Sequence, residues 1–354
     1  MVDTRSEAQD PLRTIELVVS RYLGFQQRPG HDQRLFSEEL QGGASTRRFF
    51  RVQLAQGTAI AMHVPGQSQE IAKVVDHGRR WPFLEVRDLL AERGVRVPDI
   101  VHEACAEGVL LVEDLGDHTL ANFLAEFPEQ RELLYPIAVR DLARAQRALL
   151  ELPKDSIVRA RSFDYDLLFW EVEHFREWGL EAQGIELNTA DRAIFDRAAD
   201  FLARTISSWP RGFVHRDYQS RNLMVRRAPD GPHLTWIDFQ DALLGPRVYD
   251  LVALLTDSYQ SFSRDFVEAR LDEYAEHLGL DQHERRQVGE EFDTITVQRK
   301  LKDAGRFVFI DRVNKNPDFL RFVEPTLAKV RAGLARLTHH PELTELHALL
   351  DRVL

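Results

Sequence analysis

Two rhythms of apolar positions divide the chain. In residues 11–24, apolar Leu12, Ile15, Leu17, Val18 and Tyr22 fall near helical spacing and Gly24 follows, which predicts a short helix. From 38 to 64 the rhythm changes. A Gly pair precedes FFRVQL, Gln56-Gly57 marks a turn, and TAIAMHV follows. That pattern reads as strand, turn, strand. Residues 65–80 are polar and read as loop or frayed helix. PFLEVRDLLAERG (82–94) predicts a helix stopped by Gly94, and VRVPDIVHEACAEGVLLVEDLG (95–116) predicts two strands around Glu107-Gly108.

The remainder is mostly helical. LANFLAEF, RELLYPIAVRDLARAQRALLEL, FDYDLLFWEVEHFREWGL and TADRAIFDRAADFLARTISSW all show amphipathic spacing. Between 211 and 250 short strand-like pieces alternate with polar loops, and helices resume at Tyr249. No repeat, heptad run or Gly/Ser linker interrupts the pattern. The expected class is therefore α+β. Residues 1–115 would form a small antiparallel-sheet lobe and residues 116–354 a helical body, joined by a short connection near 113–118.

Composition narrows the function. The chain has 354 residues and a formal charge of −11. The acidic balance argues against a nucleic-acid partner, whose footprint is a basic face. The single cysteine, Cys105, allows neither an internal disulfide nor a Cys-rich zinc site. The first residues lack the apolar core of a signal peptide, and the longest apolar runs are far short of a membrane span. A monomer in the cytoplasm is expected. Of 46 basic residues only six are lysines, and the first 150 residues hold one, Lys73.

The densest chemistry lies in 213–250. His215-x-Asp217-x4-Asn222 is followed, after a strand, by Ile237-Asp238-Phe239. The first triplet has the spacing of a kinase catalytic loop. Phosphoryl transfer needs a carboxylate to take up the acceptor's proton and oxygen ligands to hold Mg²⁺ against the ATP phosphates. Asp217 would be the base. Asn222 would offer a neutral amide oxygen, and Asp238 an anionic one. Mg²⁺ takes few protein ligands, so one of each suffices.

With these residues in place, the chain resembles the aminoglycoside phosphotransferase / choline kinase superfamily, and most closely its bacterial branch of anomeric N-acetylmuramate/N-acetylglucosamine kinases. The matching stretches are GASTRRFFRV (43–52), GVLLVEDLG (108–116), FVHRDYQSRNLMV (213–225), WIDFQDALLGPRVYDLVALLTDSY (236–259) and QRKLKDAGRF (298–307). The resemblance implies a protein-kinase-like fold, with ATP and Mg²⁺ between two lobes and a small-molecule sugar acceptor. It makes Asp217 the base and Asn222 and Asp238 the metal holders. His215 would brace the loop, and Asp250 would bond the catalytic-loop backbone or serve only as a helix cap. Gly42, Gly43, Ala44, Ser45 and Thr46 would lie over the phosphates. Val112, Glu113 and Asp114 would meet adenine through backbone groups.

One departure stands out. Kinases carry a phosphate-pairing lysine on the second hairpin strand, where this chain has Met62 and His63. Met62 reads as core packing, and Arg47, Arg48 or Arg51 could partly replace the charge. The anomeric-kinase branch also lacks this lysine, so the departure favours it over antibiotic kinases. A kinase fold without the strand lysine also suits a nucleotide-binding pseudokinase, against which stand Asp217, Asn222 and Asp238, and an aminoglycoside, choline-like or other small-alcohol kinase is the remaining alternative. Sugar hydroxyls call for carboxylates and amides, and Glu171, Glu173, Gln240 and Asp241 are the candidates. Trp170, Phe175 and Trp178 could line a cation cage, but helical core packing is the simpler reading for at least two of them.

Overall fold

The computed structural model describes residues 10–24, 37–40, 47–64, 80–229, 231–258 and 260–354. The chain forms two compact units, residues 1–87 with 97–117, and residues 88–96 with 118–354. The sequence-based boundary at 115/116 thus falls two residues early. It also does not foresee that 88–96 group with the second unit.

In the first unit, helix α1 (Pro11–Tyr22) precedes strands β1 (Ser37–Leu40), β2 (Arg48–Gln53) and β3 (Thr58–His63). Helix α2 (Pro82–Glu92) then leads to β4 (Ile100–Ala104) and β5 (Val109–Glu113). The strands form one antiparallel sheet in the order β1-β2-β3-β5-β4. Side-chain alternation sorts them onto two faces. Phe50, Val52, Ala59, Ala61, Val109 and Leu111 pack with Ile15, Val18 and Val19 of α1. Met62, Val64, Leu110 and Val112 pack with Trp81 and Leu84. Met62, at the position of the absent lysine, is therefore core, 2% exposed. Strand β1, SEEL, is not expected from its polar pattern. It is an edge strand held by its ladder to β2 and by Glu39, which accepts two bonds from Arg48 at 2.7 and 2.8 Å.

The second unit holds α3 (Leu120–Glu126), α4 (Arg131–Ala148), α5 (Tyr165–His174) and α6 (Thr189–Ser208). Two short antiparallel pairs follow. Strand β6 (Arg211–Val214) pairs with β9 (Leu243–Pro246), and β7 (Leu223–Ala228) pairs with β8 (Gly231–Trp236). Then come α7 (Tyr249–Leu255), α8 (Arg264–Leu278), α9 (Gln282–Asn314), α10 (Val323–Leu334) and α11 (Pro341–Val353). The 163–180 pattern is not one regular helix. After His174 it widens into a π turn, Phe175–Leu180, in which the Phe175 ring lies where a Cβ on Gly179 would sit. The long α9 starts from a full capping box, Asp281 with Glu284, which satisfies its first amides. It is the element against which α5, the π turn and α10 pack.

Candidate active site

The polar loop between β6 and β7 is held by carboxylates from behind. Asp250, fully buried on α7, accepts the His215 N–H at 2.6 Å through Oδ2 and the Arg216 N–H at 2.9 Å through Oδ1. The residue thus bonds the loop backbone directly. Burial pushes its carboxyl up to about 7, against the pull of the two amides. A second anchor, Asp257, accepts the Ser220 N–H at 2.9 Å and the Ser220 hydroxyl. Its own carbonyl accepts Lys329 Nζ at 2.6 Å.

Two non-glycine residues take left-handed backbone here, Arg216 at φ 81° and Asp238 at φ 64°. Such conformations cost about 1–3 kcal/mol each and persist only where surroundings impose them. At Arg216 the reason is visible. Its N–H must meet Asp250 while its carbonyl accepts Arg299 Nη1 at 2.8 Å.

His215 is buried, with its ring edge-on to Tyr218 and Trp236 at 5.7 Å each. Its Nδ1 accepts the Asp217 N–H at 3.3 Å, so the ring is neutral with its proton on Nε2. Burial pushes the imidazole down to about 4. His215 therefore braces the loop at Asp217.

Asp217 presents its carboxylate at the edge of the loop, its side chain 39% exposed. Oδ1 lies 3.3 Å from Arg299 Nη2. Burial pushes this carboxyl up, but the charges of Arg299, Lys302 and Arg216 outweigh it and hold it below its usual range. Asn222 donates from Nδ2 to the Asp217 carbonyl at 2.8 Å, so its amide oxygen is the atom that could meet a cation. The Asn222 carbonyl accepts the Ile237 N–H at 3.0 Å and ties this loop to the Asp238 segment. Asp238 itself is exposed, and its Oδ1 accepts Gln240 Nε2 at 2.9 Å. Gln240 also reaches Asp241 Oδ2 at 3.0 Å, and its carbonyl accepts Arg161 at 2.9 Å. Gln240 and Asp241 therefore stand beside Asp238. One loop system thus carries a carboxylate held ionised, a neutral amide oxygen and a second carboxylate. Such a set can take up a proton and bind a hard divalent cation.

The other candidate residues have their own partners. Glu171 is buried, accepting Gln298 Nε2 at 2.9 Å with Arg216 Nη2 3.9 Å away. Glu173 sits on another side of α5, in ion pairs with Arg176 at 2.8 Å and Arg192 at 3.3 Å. In the first unit Val112 is buried within β5, and the Glu113 N–H donates to the Asp99 carbonyl at 2.8 Å. The Asp114 carboxylate is tied to Arg51 at 2.7 Å and Thr58 at 2.7 Å. Arg51 is thereby committed to Asp114 and Asp117, and Arg48 to Glu39. Gly42, Gly43, Ala44, Ser45, Thr46 and Lys73 lie outside the described residues.

Sequence reasoning missed Asp257 and Arg299. Arg299 is 1% exposed, stacks over the Tyr249 ring at 4.7 Å and bridges Arg216 and Asp217. A signal for it existed, since QRKLKDAGRF was among the matching stretches, but no spacing links position 299 to position 217.

Comparison with known proteins places the chain in a family. A 312-residue alignment to the N-acetylmuramate/N-acetylglucosamine kinase of Pseudomonas aeruginosa is 32% identical and covers 87% of this chain and 85% of that protein. The enzyme of the same name from Neisseria meningitidis is 31% identical, with 87% of each chain covered. Among solved structures, the GDP complex of aminoglycoside 2'-phosphotransferase-IIIa matches with a TM-score of 0.62, 14% identity, and 91% and 99% of the two chains covered. Choline kinase LicA from Streptococcus pneumoniae matches at 0.60 and 14%, with 90% and 99% covered. At such identities these likenesses establish the fold, which is the protein-kinase-like one expected from the sequence. The family model described as phosphotransferase enzyme family matches residues 37–288, and the chain belongs to that family.

Proposed function

We propose that this protein transfers the γ-phosphate of ATP to the anomeric hydroxyl of N-acetylmuramate or N-acetylglucosamine. The observation that carries the reading is the Asp217 carboxylate, held ionised beside Arg299 and braced through its backbone by His215. Over it stands the similarity to kinases of that name along most of the chain.

In this reading Asp217 accepts the hydroxyl proton as the acceptor oxygen attacks. An anomeric hydroxyl is more acidic than an ordinary alcohol, which suits a base whose own affinity for protons is lowered. The carboxylate of Asp238 and the amide oxygen of Asn222 fit Mg²⁺, a hard ion that prefers oxygen and few protein ligands. Bound there, the ion would neutralise phosphate charge. Gln240 steadies Asp238 by its 2.9 Å bond. Gln240 and Asp241 are the groups nearest that centre to meet acceptor hydroxyls. Glu171 and Glu173 serve the scaffold, the first behind Arg216 and the second in its two arginine pairs.

The test is an acceptor panel with ATP and Mg²⁺: N-acetylmuramate, N-acetylglucosamine, glucosamine, choline and kanamycin. ATP consumption with an N-acetyl sugar, and an alkali-stable but acid-labile sugar phosphate as product, is the expected result. Turnover of kanamycin or choline alone would overturn the sugar assignment.

A further inference from the structure

Beyond Arg299, the face of α9 that meets the catalytic loop continues in positive charge. Arg299, Lys302, Asp303 and Arg306 recur at helical spacing and share that face. Asp303 is the one acid in the row, and it is oversubscribed. Its Oδ2 lies 2.9 Å from Lys300 Nζ and 3.9 Å from Arg299 Nε, and its Oδ1 lies 3.1 Å from Lys302 Nζ. Arg299 also has Asp217 at 3.3 Å, whereas Lys300 and Lys302 share the one carboxylate of Asp303. Lys302 keeps part of its side chain open to solvent, at 19%.

Arg306, one turn beyond Lys302, has no carboxylate partner among the described residues. Its guanidinium lies 4.7 Å from the Phe309 ring. Phe309 in turn meets Trp178 edge-on at 5.0 Å and His174 at 5.6 Å. These aromatic residues come from the end of α5 and the π turn, and α9 approaches them closely. A Cβ on Gly305 would stand 2.8 Å from both the His174 carbonyl oxygen and the Phe175 Cα. An exposed arginine set over one aromatic ring and lacking an acid is poised for an anion from outside the chain.

The two acceptors of the proposed reaction differ by one anion. N-acetylmuramate carries a lactyl ether, with its carboxylate, on the 3-oxygen, where N-acetylglucosamine has a hydroxyl. Seven residues of helix separate Arg299, which touches Asp217, from Arg306, a span of roughly 10 Å, which is on the scale of a pyranose ring with a lactyl arm. A sugar with its anomeric hydroxyl at Asp217 could therefore direct a 3-substituent along α9.

We propose that Lys302 and Arg306 form a carboxylate subsite that recognises the lactyl group of N-acetylmuramate. The proposal rests on the sugar-kinase reading above. Arg306 supplies paired N–H donors to the carboxylate and Lys302 adds charge beside it.

The test compares three acceptors in the parent protein and in Arg306→Ala and Arg306→Lys: N-acetylmuramate, its methyl ester and N-acetylglucosamine. The KM for ATP is measured alongside. Arg306 is exposed, so the variants should fold, and circular dichroism checks that they do. The parent should prefer the acid to the ester. Arg306→Ala should lower kcat/KM for the acid by about tenfold or more, the scale of a lost charge-assisted contact, and abolish the preference over the ester. Arg306→Lys should retain part of it. An equal fall on all three acceptors, a raised KM for ATP alone, or no change would each overturn the subsite. A parent that uses N-acetylglucosamine but not N-acetylmuramate would overturn the subsite and leave the kinase reading standing. A parent that uses neither sugar but phosphorylates kanamycin or choline would overturn both.

Discussion

In the proposed reaction, Asp217 must be held ionised and aimed. The 3.3 Å contact with Arg299 and the loop's attachment to Asp250 do these two things separately. Asp217→Asn removes the base and keeps the shape, so kcat should fall by about 10²–10⁴ with nucleotide affinity largely retained, in steady-state rates and ATP titration. In that reading Arg299 acts through Asp217 as a positioning residue, so its variants should show in the pH profile. The guanidinium lowers the Asp217 carboxyl, and its removal lets that carboxyl rise. In Arg299→Met the acid limb of kcat/KM should therefore move to higher pH, whereas Arg299→Lys should leave the limb near its original place even if the rate drops. An unmoved limb in Arg299→Met would mean that Asp217 does not set it. The triplet 215–217–222 was legible because local spacing reports a loop. The supports were less so. Asp250 could be placed only as a bond donor's partner or a cap, and Asp257 and Arg299 reach the loop from 37 and 82 residues away. Such pairings exist only after folding.

The elements were easier to read than their irregularities. Helices with a clear apolar period, such as α1 and α6, lie where spacing predicts them, because a half-buried helix must keep one face apolar. Strand β1 was invisible, since an edge strand with exposed Glu38 and Glu39 draws its order from the ladder to β2. The π turn was equally hidden, because its cause is a ring packing across a glycine. Helix α9 offers a direct test of how closely elements are fitted. Two of its glycines have opposite surroundings: Gly305 faces backbone atoms of the π-turn segment at 2.8 Å, while Gly289 has open space. Backbone cannot move aside as a side-chain tip can. Gly305→Ala should therefore destabilise by about 1–3 kcal/mol through overpacking. Gly289→Ala, in the same helix, should stabilise by roughly 0.5–1 kcal/mol through helix propensity alone. Urea denaturation measures both. Equal effects would mean that α9 does not approach the π turn as closely as described.

Across the whole molecule, each unit has its own apolar core, while the buried titratable groups gather in the second. Three of the six lysines take part in the cluster of the second unit. Lys300 and Lys302 neutralise Asp303 and Lys329 holds the chain at Thr256 and Asp257, whereas in the first unit the expected lysine position is filled by Met62. This clustering makes the stability of the second unit depend on pH. His174 is 6% exposed, and burial, with the charges of Arg306 and Lys302, pushes its imidazole down to about 4. The unfolded chain takes up a proton there near 6.5 and the folded one does not. The contribution of His174 is thus fully present above pH 6.5 and is lost as pH falls towards 4. Buried Asp250 works in the opposite direction, since its raised carboxyl loses stability as pH climbs towards 7. The two can be separated by difference. His174→Phe keeps a ring against Trp170, Trp178 and Phe309 and removes only the titration. Between about pH 4 and 6.5 the slope of its unfolding free energy against pH should be lower than the parent's, less positive or more negative, by up to about 1.4 kcal/mol per pH unit, the weight of one proton. Urea curves of the two proteins at several pH values give the slopes. Parallel slopes would show that His174 titrates equally in folded and unfolded chains, and would remove it from the acid sensitivity of the fold.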